Sequence, residues 1–154
     1  MQDFNTEVQL AINRICSPQQ VEQPTTAARE NGFRSISYDL IYGLPRQTVA
    51  GLQSTLDKVM ELAPDHIALY HYAHLPHRFK AQRLIDTDTT PGPMEKIAMQ
   101  LAAVSALENA GYEFLDMDHF ALPGDELARA ARAGRLKHNF RDRARAQEPV
   151  RRQR

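Results

Sequence analysis

Tyr38-Asp39-Leu40-Ile41-Tyr42-Gly43-Leu44-Pro45 reads as a strand that runs into a tight turn. Ser35-Ile36-Ser37 extends it backwards to about seven residues, an ordinary strand length. Side chains alternate across a strand, so Ser37, Asp39 and Ile41 share one face and Ile36, Tyr38 and Leu40 the other. Asp39 is the odd member. A carboxylate inside an apolar strand is costly unless something pairs with it, whether backbone N–H groups or a ligand. Gly43 permits a sharp turn and Pro45 ends the ladder. Thr48 then reads as the N-cap of a helix. A strand that ends in a glycine turn and a helix is the usual place for a ligand site in α/β folds.

Working outward, Asn5 or Thr6 caps a short helix through Arg14 with Val8 and Ile12 inward. Ser17-Pro18-Gln19-Gln20 starts a second helix, Ser as N-cap, Pro first and Gln at the capping-box position. Gly32 ends it, and Pro24 inside it predicts a kink or a late start. After the central strand, a helix from about Val49 to Leu62 places Val49, Leu52, Leu56, Val59 and Met60 on one stripe. His66 to Tyr72 reads as the next strand. Residues 73–91 form a long loop with a short helical stretch near Phe79 to Leu84. A helix over Met94 to Asn109 presents Met94, Ile97, Leu101 and Val104. Tyr112 to Met117 is a third strand, and Asp125 to Ala133 a short helix closed by Gly134. This β-α-β-α-β order predicts an α/β fold with parallel strands joined by right-handed crossovers. Three such strands are too few to cover a sheet on both faces, so the pattern reads as part of a larger barrel or sheet.

The chain has 154 residues, 42% apolar and 25% charged, with no net charge. This is the composition of one globular domain. The balance hides an asymmetry: residues 141–154 hold six Arg against Asp142 and Glu148. Without interleaved aromatics this reads as an unstructured basic tail rather than a nucleic-acid surface. Cys16 is the one cysteine, which excludes an intramolecular disulfide or an all-cysteine metal site and fits a cytoplasmic protein. No apolar run is long enough for a membrane span, and the first residues do not resemble a signal peptide.

Polar residues gather where the strands end: Gln2, Asp3 and Arg14, then Asp39, then His71 and His74, then Asp118 and His119. In a parallel α/β fold these ends share one side. Arg14 suits a carboxylate or a planar ligand, or else caps a solvated helix end. His71, His74 and His77 offer imidazoles for a metal, but they lie on a strand passing into a loop, without a helical ligand face.

Four stretches together resemble a known family. They are Gln2-Asp3-Phe4-Asn5 with Val8-Gln9 and Asn13-Arg14, and Asp39 to Pro45 with Gln47-Thr48. Next come Tyr72-Ala73-His74-Leu75-Pro76 with Ala81-Gln82-Arg83. The last runs from Gly111-Tyr112 through Met117 to Ala121 and Asp125 to Ala128, ending at Asn139-Phe140. In these residues the chain resembles the oxygen-independent coproporphyrinogen III oxidases, radical S-adenosylmethionine (SAM) enzymes of haem synthesis, over residues 2–140. The resemblance implies a partial TIM-like radical SAM barrel over 1–140, roughly its second half. It implies SAM and a [4Fe–4S] cluster as cofactors, and oxidative decarboxylation of coproporphyrinogen III to protoporphyrinogen IX. It further implies a monomer acting on a porphyrinogen, while the residues themselves give no case for a membrane or nucleic-acid partner. Carried over residue by residue, Gln2, Arg14, Asp39 and the backbone at Ala73 are similar to contacts to a SAM molecule, and Phe140 to a position near the porphyrinogen substrate.

The pattern also departs from the family. Its three-cysteine motif would precede residue 1, and Cys16 lies outside any such motif. After Phe140 the family sequence gives way to Arg141-Asp142-Arg143-Ala144-Arg145, which looks like a shifted reading frame. The resemblance therefore predicts a chain without turnover of its own and of marginal stability. Two alternatives stand beside it: a haem-chaperone-like protein of the sister branch, and a non-catalytic fragment that pairs with a separate N-terminal half. A metal hydrolase using the histidines is more distant.

Overall fold

The computed structural model describes residues 2–137, together with the backbone of Arg143–Ala144. Its elements are α1 (Thr6–Ala11), α2 (Pro18–Glu30), β1 (Ser37–Tyr42), α3 (Val49–Glu61), β2 (His66–His71), α4 (Pro93–Asn109), β3 (Glu113–Asp116), β4 (His119–Ala121), α5 (Glu126–Arg132), β5 (Leu136–Lys137) and β6 (Arg143–Ala144). Two 3₁₀ turns, Lys80–Leu84 and Thr87–Thr89, punctuate the loop between β2 and α4.

Four strands form one sheet in the order β1-β2-β4-β3. β1 and β2 pair in parallel from Ser37↔His66 to Tyr42↔His71, with α3 as the crossover. β2 and β3 run the same way, as the β-α-β-α-β order predicts, but they are not neighbours. Between them lies β4, antiparallel to both, so the sheet is mixed. The reason is a two-residue hairpin turn at Met117 and Asp118, with φ of 46° and 67°. Left-handed φ at both central residues matches the strand twist and turns the chain straight back.

One face of the sheet is packed by α3 and α4. Leu52, Leu56 and Val59 of α3, with Met99, Ala103 and Leu107 of α4, meet Tyr38, Leu40, Ile67, Leu69 and Phe120 of the strands. The α3 stripe is thus the predicted one, except that Val49 at its start is exposed. The α4 stripe is not. Val104 alone of it packs against the core, while Met94, Ile97 and Leu101 are exposed at 75%, 49% and 65% and the helix buries Met99, Ala103 and Leu107.

The ends of the early helices also differ from expectation. Asn5 caps α1 by accepting from Glu7 and Val8 N–H, but α1 ends at Ala11 rather than Arg14, because Asn13 turns to φ 52°. Ser17 and Gln20 form the predicted capping box, and α2 begins at Pro18 and runs through Pro24 to Glu30, so the late start does not occur. Of the segment 141–154, expected to be an unstructured tail, Arg143–Ala144 are described and pair with Leu136–Lys137. Phe140 lies outside the described residues.

Candidate functional site at the end of the sheet

The turn after β1 is built by residues at the start of the chain. Asp3 is 2% exposed, and its carboxylate accepts three bonds: from Asn5 N–H at 2.6 Å, Thr55 Oγ1 at 2.8 Å and Gln47 Nε2 at 2.6 Å. Gln47 is also buried. Its Oε1 accepts from Gly43 N–H at 2.6 Å and Leu44 N–H at 3.1 Å, and its Nε2 also donates to the Ile41 carbonyl. One side chain thus satisfies both N–H groups of the turn, and the buried carboxylate holds that side chain in place. Gln9 does comparable work for the α1–α2 connection, bonding the Asp3 carbonyl and both backbone groups of Cys16. In the sequence Asp3 stands out only as a polar residue near a strand end, and Gln9 and Gln47 only as members of the stretches that carry the family resemblance. Of the three only Gln9 carries a local signal, a polar residue between apolar Val8 and Leu10.

The predicted site residues can now be placed. Asp39 is exposed, not buried. The strand pleat sets it with Ser37 and Ile41 on the sheet face away from α3 and α4, and no hydrogen bond or ion pair engages it among the described residues. Gln2 lies beside it. The Gln2 carbonyl accepts from Ile41 N–H at 3.3 Å, so the N-terminal segment runs along the free edge of β1. Ala73 follows β2 at the same end, where Tyr72 N–H bonds the Tyr42 carbonyl. The Ala73 peptide is fixed by Gln82 Nε2, 3.0 Å from its carbonyl. Arg14 is exposed, in the turn after α1. Val8 and Ile12 of that segment pack with Leu44, Tyr72 and Ile41, which carries Arg14 to the end of the sheet as well.

The histidines divide. His74 Nδ1 shares a hydrogen bond with the Tyr72 hydroxyl. His119 is not in a loop after β3, as expected, but is buried on β4. It forms a polar chain on the Asp39 face: Ser37 Oγ to His66 Nδ1 at 3.0 Å, and His66 Nε2 to His119 Nδ1 at 2.8 Å. The two ring planes are nearly parallel, 7° apart, and Tyr70 meets His119 edge-on. A single proton can sit between the two imidazoles, so one ring donates and the other accepts. Among the described residues no three His, Cys, Asp or Glu side chains are placed to hold a metal ion.

The comparisons with known proteins bear on this geometry. No family model matches the chain. Residues of the chain align over 140 positions, 91% of its length, with oxygen-independent coproporphyrinogen III oxidase of Pseudomonas aeruginosa at 47% identity and with that of Escherichia coli at 46%. A solved structure of the Escherichia coli enzyme, described as a radical SAM enzyme, matches 91% of the chain with a TM-score of 0.87. The chain is homologous to the oxygen-independent coproporphyrinogen III oxidases. It spans less than half of their length: 30% of the Pseudomonas protein, 31% of the Escherichia protein and 43% of the relative from Thermostichus vulcanus. The stretch whose β-α-β-α-β order reads as part of a larger barrel or sheet thus matches 32% of that solved structure, with its sheet mixed at the β3–β4 hairpin. No helix among the described residues is long and apolar enough to cross a membrane.

Proposed function

We propose that these residues form one wall of the SAM site in an oxygen-independent coproporphyrinogen III oxidase, the rest of the site being supplied by protein beyond this stretch. What supports the reading is the agreement of sequence and fold over 140 residues, together with an exposed, unengaged carboxylate on a sheet strand. When bound, SAM with its reduced cluster supplies the radical that begins conversion of two propionate arms of coproporphyrinogen III to vinyl groups with loss of carbon dioxide.

This stretch offers donors and acceptors for the SAM molecule and none for the cluster. Asp39 accepts from an ammonium or a hydroxyl. Arg14 pairs with a carboxylate, Gln2 provides an amide, and the Ala73 peptide is held ready by Gln82. Cys16, the one cysteine, is half-buried with its thiol on the Ser17 carbonyl, so these residues do not fit a cluster that needs three thiolates. The cluster is held by residues outside these 154, and the stretch alone does not turn over. Phe140 is assigned to the porphyrinogen substrate by the resemblance alone.

Equilibrium dialysis of the chain with radiolabelled SAM tests the wall. Saturable binding that Asp39→Asn weakens about tenfold is expected, because a charge-assisted bond contributes about 1.5–3 kcal/mol. Equal binding by the wild type and D39N, or no saturable binding, overturns the assignment. Electron paramagnetic resonance after anaerobic iron–sulfur reconstitution tests the rest: a SAM-responsive [4Fe–4S] signal from these 154 residues refutes the placement of the cluster elsewhere.

A further inference from the structure

The end of the sheet carries a second constellation, on the helix-covered face, that the SAM reading does not use. Tyr42 closes β1 and is 5% exposed. A buried tyrosine normally sets its hydroxyl on a partner. The other buried tyrosines do so: Tyr38 with Thr25 Oγ1, Tyr72 with His74 Nδ1, and Tyr112 with the Pro64 carbonyl. The Tyr42 hydroxyl makes no hydrogen bond among the described residues. Burial, and after it the Asp118 carboxylate, pushes the phenol pKa up, so at neutral pH this hydroxyl keeps its proton and is a donor without an acceptor.

Tyr42 lines a cleft of about 380 Å³ between the ends of β1 and β2 and the first turns of α4, a volume in the range of small-molecule sites. His71, Pro93, Lys96, Ile97 and Gln100 complete the lining. Lys96 reaches the cleft across Gly43. A Cβ on Gly43 would stand 3.3 Å from Lys96 Cε and 3.4 Å from Cγ, and Gly43 has φ +81°. The turn therefore needs glycine both for its backbone and for the passage of the lysine stem. Lys96 makes no ion pair among the described residues. The nearby Glu95 carboxylate is engaged by Gly92 N–H at 2.9 Å. His71 packs edge-on to Tyr42. Burial first, then Lys96, holds its pKa below the usual imidazole value against the opposing pull of Asp118, which favours the uncharged ring.

One free cation, an orphaned hydroxyl donor and a side-chain amide thus converge beside two apolar side chains. Asp118 is the opposing charge. It disfavours a dianion such as phosphate more than a monoanion, and Pro93 and Ile97 favour an alkyl chain over a sugar or a bare ion. We propose that the cleft binds a short aliphatic monocarboxylate. The carboxylate sits between the Lys96 ammonium and the Tyr42 hydroxyl, with Gln100 as third donor, and the alkyl chain lies on Pro93 and Ile97. This site lies on the face opposite Asp39 and does not depend on the SAM reading.

The test is a ¹H–¹⁵N NMR titration of the whole chain with sodium butyrate, at ionic strength held constant with sodium chloride. Saturable shifts centred on Tyr42, Gly43, His71, Lys96 and Gln100 are expected. Lys96→Met should raise the dissociation constant at least tenfold, and Lys96→Arg should retain most of the affinity. Asp118→Asn, a substitution that suits the left-handed turn, should tighten binding severalfold. Shifts that do not saturate overturn the proposal. So does unchanged affinity in a K96M variant whose amide spectrum is otherwise that of the wild type, and so does tighter binding of inorganic phosphate than of butyrate.

Discussion

Asp3→Asn isolates the bond that holds the turn after β1. The substitution preserves volume, and the amide oxygen can still accept from Asn5 N–H and Thr55 Oγ1. It places an NH₂ group against Gln47 Nε2, which stands 2.6 Å from the carboxylate oxygen in the wild type. Gln47 cannot respond by turning over, because its oxygen already serves Gly43 and Leu44 N–H. A charge-assisted bond worth about 1.5–3 kcal/mol is lost, and a buried donor is stranded at about 1–3 kcal/mol more, so the expected loss is about 4 kcal/mol. Gln47→Glu alone sets two carboxylates against each other and should be destabilising too. The double variant restores a donor–acceptor pair between residues 3 and 47, though the bond from residue 47 to the Ile41 carbonyl is not recovered. Urea unfolding of the four chains should therefore show a coupling of at least about 1.5 kcal/mol between the two sites. A loss in D3N below about 1 kcal/mol, or two single losses that simply add, would refute the reasoning.

Three further outcomes follow from the core and the helix caps. The Tyr112 phenol is pushed up to about 12, by burial first and then by Asp65, against the pull of Arg29. The unfolded chain loses this proton near pH 10 and the folded one near pH 12, so stability is complete below pH 10 and falls as pH rises through that window, by up to about 3 kcal/mol. Tyr112→Phe should remove this alkaline loss in urea midpoints measured between pH 9 and 12, while costing about 1 kcal/mol at neutral pH for its bond to the Pro64 carbonyl. Leu56→Ala, at a fully buried position between α3 and the sheet, should cost about 2–5 kcal/mol in the same assay; a smaller loss would mean that α3 does not pack as described. Ser17→Ala removes the reciprocal cap of α2 and should lower stability by about 1 kcal/mol, with Ser17→Asp restoring most of it.

The sequence made β1, α3 and β2 readable because each carries one clear periodicity and a punctuating residue: Gly43 after β1, Thr48 before α3, Pro64 before β2. Helix α4 was misread for a physical reason. Apolar residues surround most of it, so Met94, Ile97 and Leu101 form as good a stripe as Met99, Ala103 and Leu107, and only the sheet beneath selects between them. The apolar neighbours of Asp39 in the strand imply burial, because alternation alone does not say which face of a sheet is covered. In this stretch the face it shares with Ser37 is covered at neither residue. The β3–β4 hairpin escaped notice because Met117-Asp118 lacks the glycine or asparagine that announces such turns, although both residues adopt the backbone that glycine would. Of the site, the gathering of polar strand ends was legible. The buried support from Asp3, Gln9 and Gln47 was not, because partners this far apart in sequence meet only after folding.

The hairpin also sets an order of events in folding. β4 finds β3 across a two-residue turn, a local closure on the order of microseconds, whereas β1 and β2 must wait for α3 to bridge residues 42 and 66. This order predicts that the two pieces of the sheet join late, along the β2–β4 seam at Ile67↔Phe120 and Ala68↔His119. Substitutions that weaken this seam should act mainly by speeding unfolding, leaving the folding rate nearly as it was.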